Sequence, residues 1–223
     1  MRTVLPVADA AALVPDGASV MIGGFMGVGS PLRLIDALVA RKARGLTIIA
    51  NDTARPGVAI GKLIAAGCVS RAYVSHIGTN PETQQKMISG EIEVILVPQG
   101  TLVERIRAAG AGLPGVLTAT GIGTLAAEGF EVIQVNGRDC LVQPALHADV
   151  ALISARTADY HGNLVYMLTA RNFNPVMALA GGVVIAETDE IVPLGVLAPD
   201  DIHTPGVVIT HLVERPAFTD ERL

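Results

Sequence analysis

Residues 16–31, Asp-Gly-Ala-Ser-Val-Met-Ile-Gly-Gly-Phe-Met-Gly-Val-Gly-Ser-Pro, allow few local structures. Val20, Met21 and Ile22 form an apolar run too short for a helix and flanked by turn residues, which predicts a buried strand. Gly23, Gly24, Gly27 and Gly29 then let the backbone turn sharply and leave no Cβ between main chain and a ligand. Ser30 is placed to cap, and Pro31 to open, a helix whose apolar stripe is Leu34, Ile35, Leu38 and Val39. Unpaired N–H groups at such a helix start favour phosphate or carboxylate, so the loop points to an anionic small molecule. A tight strand-to-helix turn with no ligand is the plain alternative.

The same alternation continues down the chain. Strands are expected at 46–50, 70–75 and 92–97, with helices at about 58–66, 82–88 and 101–109. The strands at 46–50, 94–97, 150–153 and 183–186 are continuously apolar, as parallel strands covered on both faces must be. This predicts an α/β fold: a mainly parallel, doubly wound open sheet with helices on both faces. The glycine-rich segment 110–123 reads as a loop. An inserted β-hairpin follows at 130–142, with Asn136-Gly137 supplying its tight turn. Strands resume at 149–154, 183–187 and 207–213, with a helix at 172–180. No linker or repeat interrupts the pattern, so residues 1–223 are expected to form a single domain.

Charge narrows the function classes. The chain carries a net charge of −5 and no basic stripe, which argues against nucleic acid as a partner. Cys68 and Cys140 are far apart and read as two reduced thiols of a cytoplasmic protein. The uncharged part of 108–127 contains several glycines and a proline, so it is not a membrane span, and a soluble protein is expected. Only 17% of residues are charged, which hints that another chain covers more than one face. The histidines at 76, 147, 161, 203 and 211 show no ligand spacing, so no metal is expected.

The glycine segment has no Gly-Lys-Ser/Thr ending and is not a P-loop. A dinucleotide fingerprint would need glycine where Leu32 stands, although Asp52 follows at a suitable distance. Read whole, Asp-Gly, then Val-Met-Ile, Gly-Gly-Phe, Gly29 and Pro31 closely resemble the signature of family I coenzyme A transferases. Further segments resemble the separate α (A) subunit of that family, in order and without large gaps from about Asp16 to Thr210. They are residues 51–54 (Asn-Asp-Thr-Ala), 75–83, 97–101 (Val-Pro-Gln-Gly-Thr), 110–112, 120–124, Gly162-Asn163 and 170–175 (Ala-Arg-Asn-Phe-Asn-Pro). The acetate/acetoacetate (3-oxoacid) type is the nearest in pattern. Arg55-Pro56 does not align to that pattern, which leaves the acyl preference open.

Ligands of open α/β sheets lie at the carboxyl ends of the strands, which selects loops 23–29, 51–54, 76–80 and 98–101. Lys and Arg are absent from all four, and what they offer is neutral donors: backbone N–H groups, the Asn51, Asn80 and Gln99 amides and the Thr101 hydroxyl. Neutral donors suit a developing oxyanion or a substrate carboxylate. The resemblance implies coenzyme A as substrate, with Gly23, Gly24, Phe25, Met26, Gly27, Val28 and Gly29 cradling part of it. Asn51 and Gln99 would be polar supports, and His76 a possible further contact. It also implies a ping-pong reaction through a glutamyl-CoA thioester whose glutamate lies in a Ser-Glu-Asn-Gly-type segment of the β half. No such segment exists here. Glu82 reads instead as a helix-start carboxylate and Glu104 as a solvated or ion-paired one. No catalytic residue is therefore expected in this chain, and a β (B) subunit, in an α2β2 assembly, would complete the site. Arg171, Asn172 and Asn174 read as scaffolding or subunit contact. The rival readings are a stand-alone sugar-phosphate isomerase or deaminase with its own general base, and a nucleotide-sensing module using Asp52.

Overall fold

In the computed structural model, residues 1–214 are described. The elements are β1 (Thr3–Val4), α1 (Val7–Ala12), β2 (Ser19–Ile22), α2 (Leu32–Ala40), β3 (Leu46–Ile49), α3 (Ile60–Ala65), β4 (Val69–Val74), α4 (Pro81–Ile88), β5 (Glu93–Leu96) and α5 (Gln99–Gly110). There follow β6 (Gly115–Thr118), β7 (Val132–Val135), β8 (Arg138–Pro144), β9 (Ala148–Asp159), β10 (Leu164–Val165), α6 (Asn174–Ala178), β11 (Gly181–Val192) and β12 (His211–Glu214).

The main sheet has the order β1-β12-β11-β9-β2-β3-β4-β5, and every neighbouring pair along it is parallel. Among the described residues, β10, paired with β9, is the one strand of this sheet that runs antiparallel. Successive residues of the central strands face opposite layers. Val20, Ile22, Ile48 and Leu152 pack with Leu34, Ile35 and Leu38 of α2 and Leu63 and Ile64 of α3. Met21, Ile49, Ala151 and Ile153 pack instead with Leu102 and Ile106 of α5 and Val176 and Met177 of α6. Burial on both faces is why these strands read as unbroken apolar runs. The expected doubly wound α/β sheet is what the chain forms.

The differences lie at the edges of the expectation. Segment 110–123, expected as loop, contains β6, which pairs with β8 and turns the expected hairpin into a small sheet of order β6-β8-β7. The Asn136-Gly137 turn has positive φ at both residues, 49° and 72°, as a tight hairpin requires. β9 and β11 are longer than expected, each 12 residues, because their far halves pair with each other beyond the end of β2. The expected helix at 172–180 is a 3-10 turn (Leu168–Arg171) followed by the short α6.

The start of α2 also differs. Pro31 occupies the cap position rather than the first helical turn, and no side chain of its own neighbourhood caps the helix. The backbone N–H groups of Arg33 and Leu34 instead donate to one carboxylate oxygen of Glu187, each at 3.0 Å. Glu187 comes from β11 and has no exposed surface. A fully buried carboxylate thus sits at the positive end of the helix, where its charge is most favoured. The start of α2 is met by a carboxylate of the chain itself. Among the described residues, no helix is long and apolar enough to cross a membrane.

Replacing Glu187 with alanine leaves those two N–H groups without their charged acceptor. A loss of about 2 kcal/mol is expected from the capping and charge terms, read as a lower midpoint in urea unfolding. An unchanged midpoint would show that Glu187 does not hold α2.

Candidate active site

The chain runs from β2 through β3, β4 and β5 in one direction across the sheet, whereas β9, β11 and β12 lie on the other side of β2. The order therefore reverses between β2 and β9, and the carboxyl end of such a switch point is where open α/β sheets form a crevice. Loop 23–29 emerges there. Phe25 and Val28 exchange backbone hydrogen bonds, Phe25 N–H to Val28 O at 3.0 Å and Val28 N–H to Phe25 O at 2.9 Å. Met26 and Gly27 between them have φ of 52° and 90°. This is a two-residue turn with both central residues left-handed, the geometry of a tight hairpin tip.

The turn is fastened by side chains from elsewhere. Gly24 N–H donates to Asn172 Oδ1 at 3.1 Å, and Asn172 Nδ2 donates back to Val28 O at 2.9 Å. Asn174 Nδ2 donates to Gly29 O at 2.9 Å, while its Oδ1 accepts from Ser154 N–H at 3.0 Å. Met26 N–H donates to Asp52 Oδ2 at 2.9 Å. Gly23 N–H donates to Leu152 O at 3.0 Å. A Cβ at Gly23 would lie 1.8 Å from Asn174 Oδ1, and one at Gly29 would lie 2.4 Å from Ala170 O. Glycine is therefore needed at these two positions for close approach to the brace. The N–H groups of Gly23, Gly24, Phe25, Met26 and Val28 thus all have partners within the chain. What the turn presents outward is apolar, with Phe25 43% and Val28 50% exposed. Asn172 and Asn174 brace the turn. Arg171 of the same segment is exposed.

Asn51 and Gln99 meet. Gln99 Nε2 donates to Asn51 Oδ1 at 2.6 Å, and Asn51 Nδ2 donates to Asp52 Oδ2 at 2.8 Å. Asn51 has no exposed surface, whereas Gln99, at the first turn of α5, is exposed. In this arrangement Asn51 reaches the cleft through Gln99 and not by its own surface. Asp52, 3% exposed, also accepts from Ala54 N–H at 2.6 Å. With three donors converging on it inside the protein, Asp52 is not placed to hold a ribose hydroxyl, and the nucleotide reading loses its key residue. His76 is half-buried, hydrogen-bonded through Nδ1 to Ser75 Oγ at 3.0 Å, with its ring 6.2 Å from that of Phe25. It backs the turn from the side of β4.

A cleft of about 520 Å³ opens beside the turn, lined by Phe25, Gln99, Gly100, Thr169, Asn172 and Phe173 among others. No carboxylate, lysine or arginine lines it. Glu104 is exposed and paired with Arg107 at 3.0 Å, and Glu82 lies in the first turn of α4, where Asn80 caps Thr83 N–H at 3.2 Å. Both acids have the structural roles that the sequence assigned them. On the other side of the turn a smaller hollow of about 170 Å³ is lined by Gly27, Gly29, Arg156, Tyr166 and Asp189. Burial pushes the Tyr166 phenol up to about 12, so it is a neutral hydroxyl, bonded to Thr204 Oγ1 at 2.8 Å. The Arg55-Pro56 loop is exposed, and its Val58 lies 3.0 Å from where a Cβ of Gly27 would stand. Non-glycine residues with positive φ gather around this site: Met26, Ala54, Ala59 and Leu168. Such backbone is uncommon and concentrates where function holds it.

Residues 4–215 match the Coenzyme A transferase family. The chain belongs to that family. It is 51% identical over 214 residues to the acetate CoA-transferase subunit alpha of Escherichia coli K12, covering 96% of this chain and 97% of that one. To the acetoacetyl-CoA:acetate/butyrate CoA transferase alpha subunit of Clostridium acetobutylicum it is 49% identical over 202 residues, covering 91% and 93%. A solved acyl-CoA transferase from E. coli O157:H7, in thioester complex with CoA, superposes with a TM-score of 0.87 at 26% identity. That match takes in 96% of this chain but 47% of the solved one, so this chain spans about half its length. The CoA-transferase α chain described here therefore has the size of the separate α subunits.

Sequence reasoning found the loops of this CoA-transferase chain and the asparagines that brace them. It missed Glu187, whose N–H partners lie 154 and 153 residues away, and the bond that Asp52 makes to Met26, 26 residues away. In the turn, Gly23→Ala forces Asn174 out of its place and is expected to cost about 3 kcal/mol, as overpacking of a rigid site does. Gly78→Ala, with open space around it, should leave unfolding within about 0.5 kcal/mol of the parent. Equal midpoints for the two variants in urea would contradict the brace.

Proposed function

We propose that this chain is the α half of a heteromeric CoA-transferase that moves CoA between a short-chain acyl-CoA and a carboxylic acid. The acyl group would be acetoacetyl or another 3-oxoacyl, acetyl or succinyl, in line with the substrates named in its relatives. The observation that carries the reading is the cleft at the switch point. It offers an exposed amide, Gln99, and apolar surface from Phe25 and Phe173, yet no group able to attack a thioester. The nucleophile therefore comes from a partner β subunit, as a glutamate that forms an acyl anhydride and then a glutamyl-CoA thioester.

Within that reaction this chain's residues orient and stabilise. Each time the thioester or anhydride carbonyl is attacked, its oxygen gains negative charge. An amide N–H held within about 3 Å of that oxygen lowers the barrier, and Gln99 is the exposed donor of the cleft. Phe25 and Val28 at the turn tip exclude water, which would otherwise hydrolyse the thioester. The coenzyme lies against the turn by side-chain and peptide contact, not in a main-chain anion cradle. Two copies of each subunit, α2β2, would make the assembly.

The test is purification of this chain alone, of a β-type CoA-transferase chain alone, and of the two co-expressed. Transfer between acetoacetyl-CoA and acetate should appear only in the mixture. In the mixture, Gln99→Ala should lower kcat by about 100- to 1000-fold, the range for loss of one such donor. Full activity of this chain by itself would overturn the half-site reading.

A further inference from the structure

Gln99 is held by a chain of hydrogen bonds whose polarity is set at its far end. The carboxylate of Asp52 only accepts, so the neighbouring amide of Asn51 must turn its Nδ2 towards it, at 2.8 Å. That turns Asn51 Oδ1 towards Gln99, which must then present Nε2, at 2.6 Å. One N–H of Gln99 is thereby tied down, and its second N–H and its Oε1 take fixed directions. The same Asp52 Oδ2 holds Met26 N–H at 2.9 Å, at the tip of the turn whose Phe25 lines the cleft together with Gln99. The fold keeps this wiring dry: Asp52 is 3% and Asn51 0% exposed. Ser75 Oγ and N–H, at 2.7 and 2.8 Å from Asn51 O, fix the main chain between them.

We propose that Asp52 is the positioning residue of this site, fixing which atoms of Gln99 face the reacting carbonyl and tying the turn tip to the same point. This rests on the CoA-transferase reading, in which Gln99 touches substrate. Asp52 itself touches nothing that reacts. Its role is to remove the amide flip that would leave Gln99 equally able to present oxygen or nitrogen to a developing oxyanion. An oxygen facing an oxyanion repels it, so the flip would act on the transition state more than on bound substrate.

Asp52→Asn keeps the size and one acceptor, enough for Ala54 N–H, but sets an NH2 group against the N–H of Met26 and the Nδ2 of Asn51. Asn51→Ala cuts the link while leaving Asp52 its bonds to Met26 and Ala54. In the co-expressed complex, each variant should lower kcat about tenfold or more with KM changed less than about threefold. The deciding measurement is the double-mutant cycle with Gln99→Ala. Once Gln99 is gone, Asn51→Ala should have no further effect on kcat, and Asp52→Asn a smaller one than in the parent. Effects that multiply independently would overturn the proposal, since a merely structural role acts whether or not Gln99 is present. A second readout needs no activity. In 15N spectra of the full chain, the Gln99 side-chain amide should show one slowly exchanging proton, lost in both variants. An unchanged Gln99 amide in Asp52→Asn would overturn the proposal by itself. Inactive parent complex with the amide behaviour intact would instead refute the CoA-transferase reading and leave the wiring standing.

Discussion

The turn at 23–29 follows a left-handed path through Gly24, Met26, Gly27 and Gly29 that no run of L-residues prefers, so it must be held from outside. Three side chains hold it: Asn172, Asn174 and Asp52, reaching in from distant parts of the chain. Asn174 and Asp52 make their bonds from buried positions, whereas Asn172 makes its own from the edge of the cleft. The geometry of the cleft follows from these bonds. Phe25 and Gln99 both line the cleft, and Asp52 is linked to each side, directly to Met26 N–H of the turn and through Asn51 to Gln99.

The same logic explains what the site lacks. A helix start and a glycine turn normally invite an anion, and here the protein answers that invitation internally. Glu187 occupies the start of α2, and Asp52 occupies the tip of the turn. Two buried carboxylates in capping roles leave the cleft itself free of charge. A neutral, partly apolar cleft suits acyl transfer, in which charge appears only at the transition state and is best met by fixed dipoles.

Much of this was legible from residues alone. The doubly wound sheet could be read because strands such as 46–50 and 150–153 must be covered on both faces, and the structure covers them. The loops at the strand ends followed from topology, and the resemblance to CoA-transferases picked out the same loops. What could not be read were pairings distant in sequence. Nothing near Ser30 says that Glu187 will cap the helix, 154 and 153 residues from the two N–H groups it receives. β6 was hidden in a glycine-rich segment because its pairing comes from β8. Asn51 read as a polar support of the cleft, but its full burial and its bonds to Gln99 and Asp52 could not be read from the sequence.

The account stands on a division of labour in which this chain orients and its partner attacks. Its most direct test is to mix the co-expressed complex with an acyl-CoA, trap the covalent intermediate, and map the modified residue by mass spectrometry. The account predicts a thioester or acyl adduct on a glutamate of the partner chain and none on this one. An adduct on Glu82, Glu104 or any other acid of this chain would contradict it.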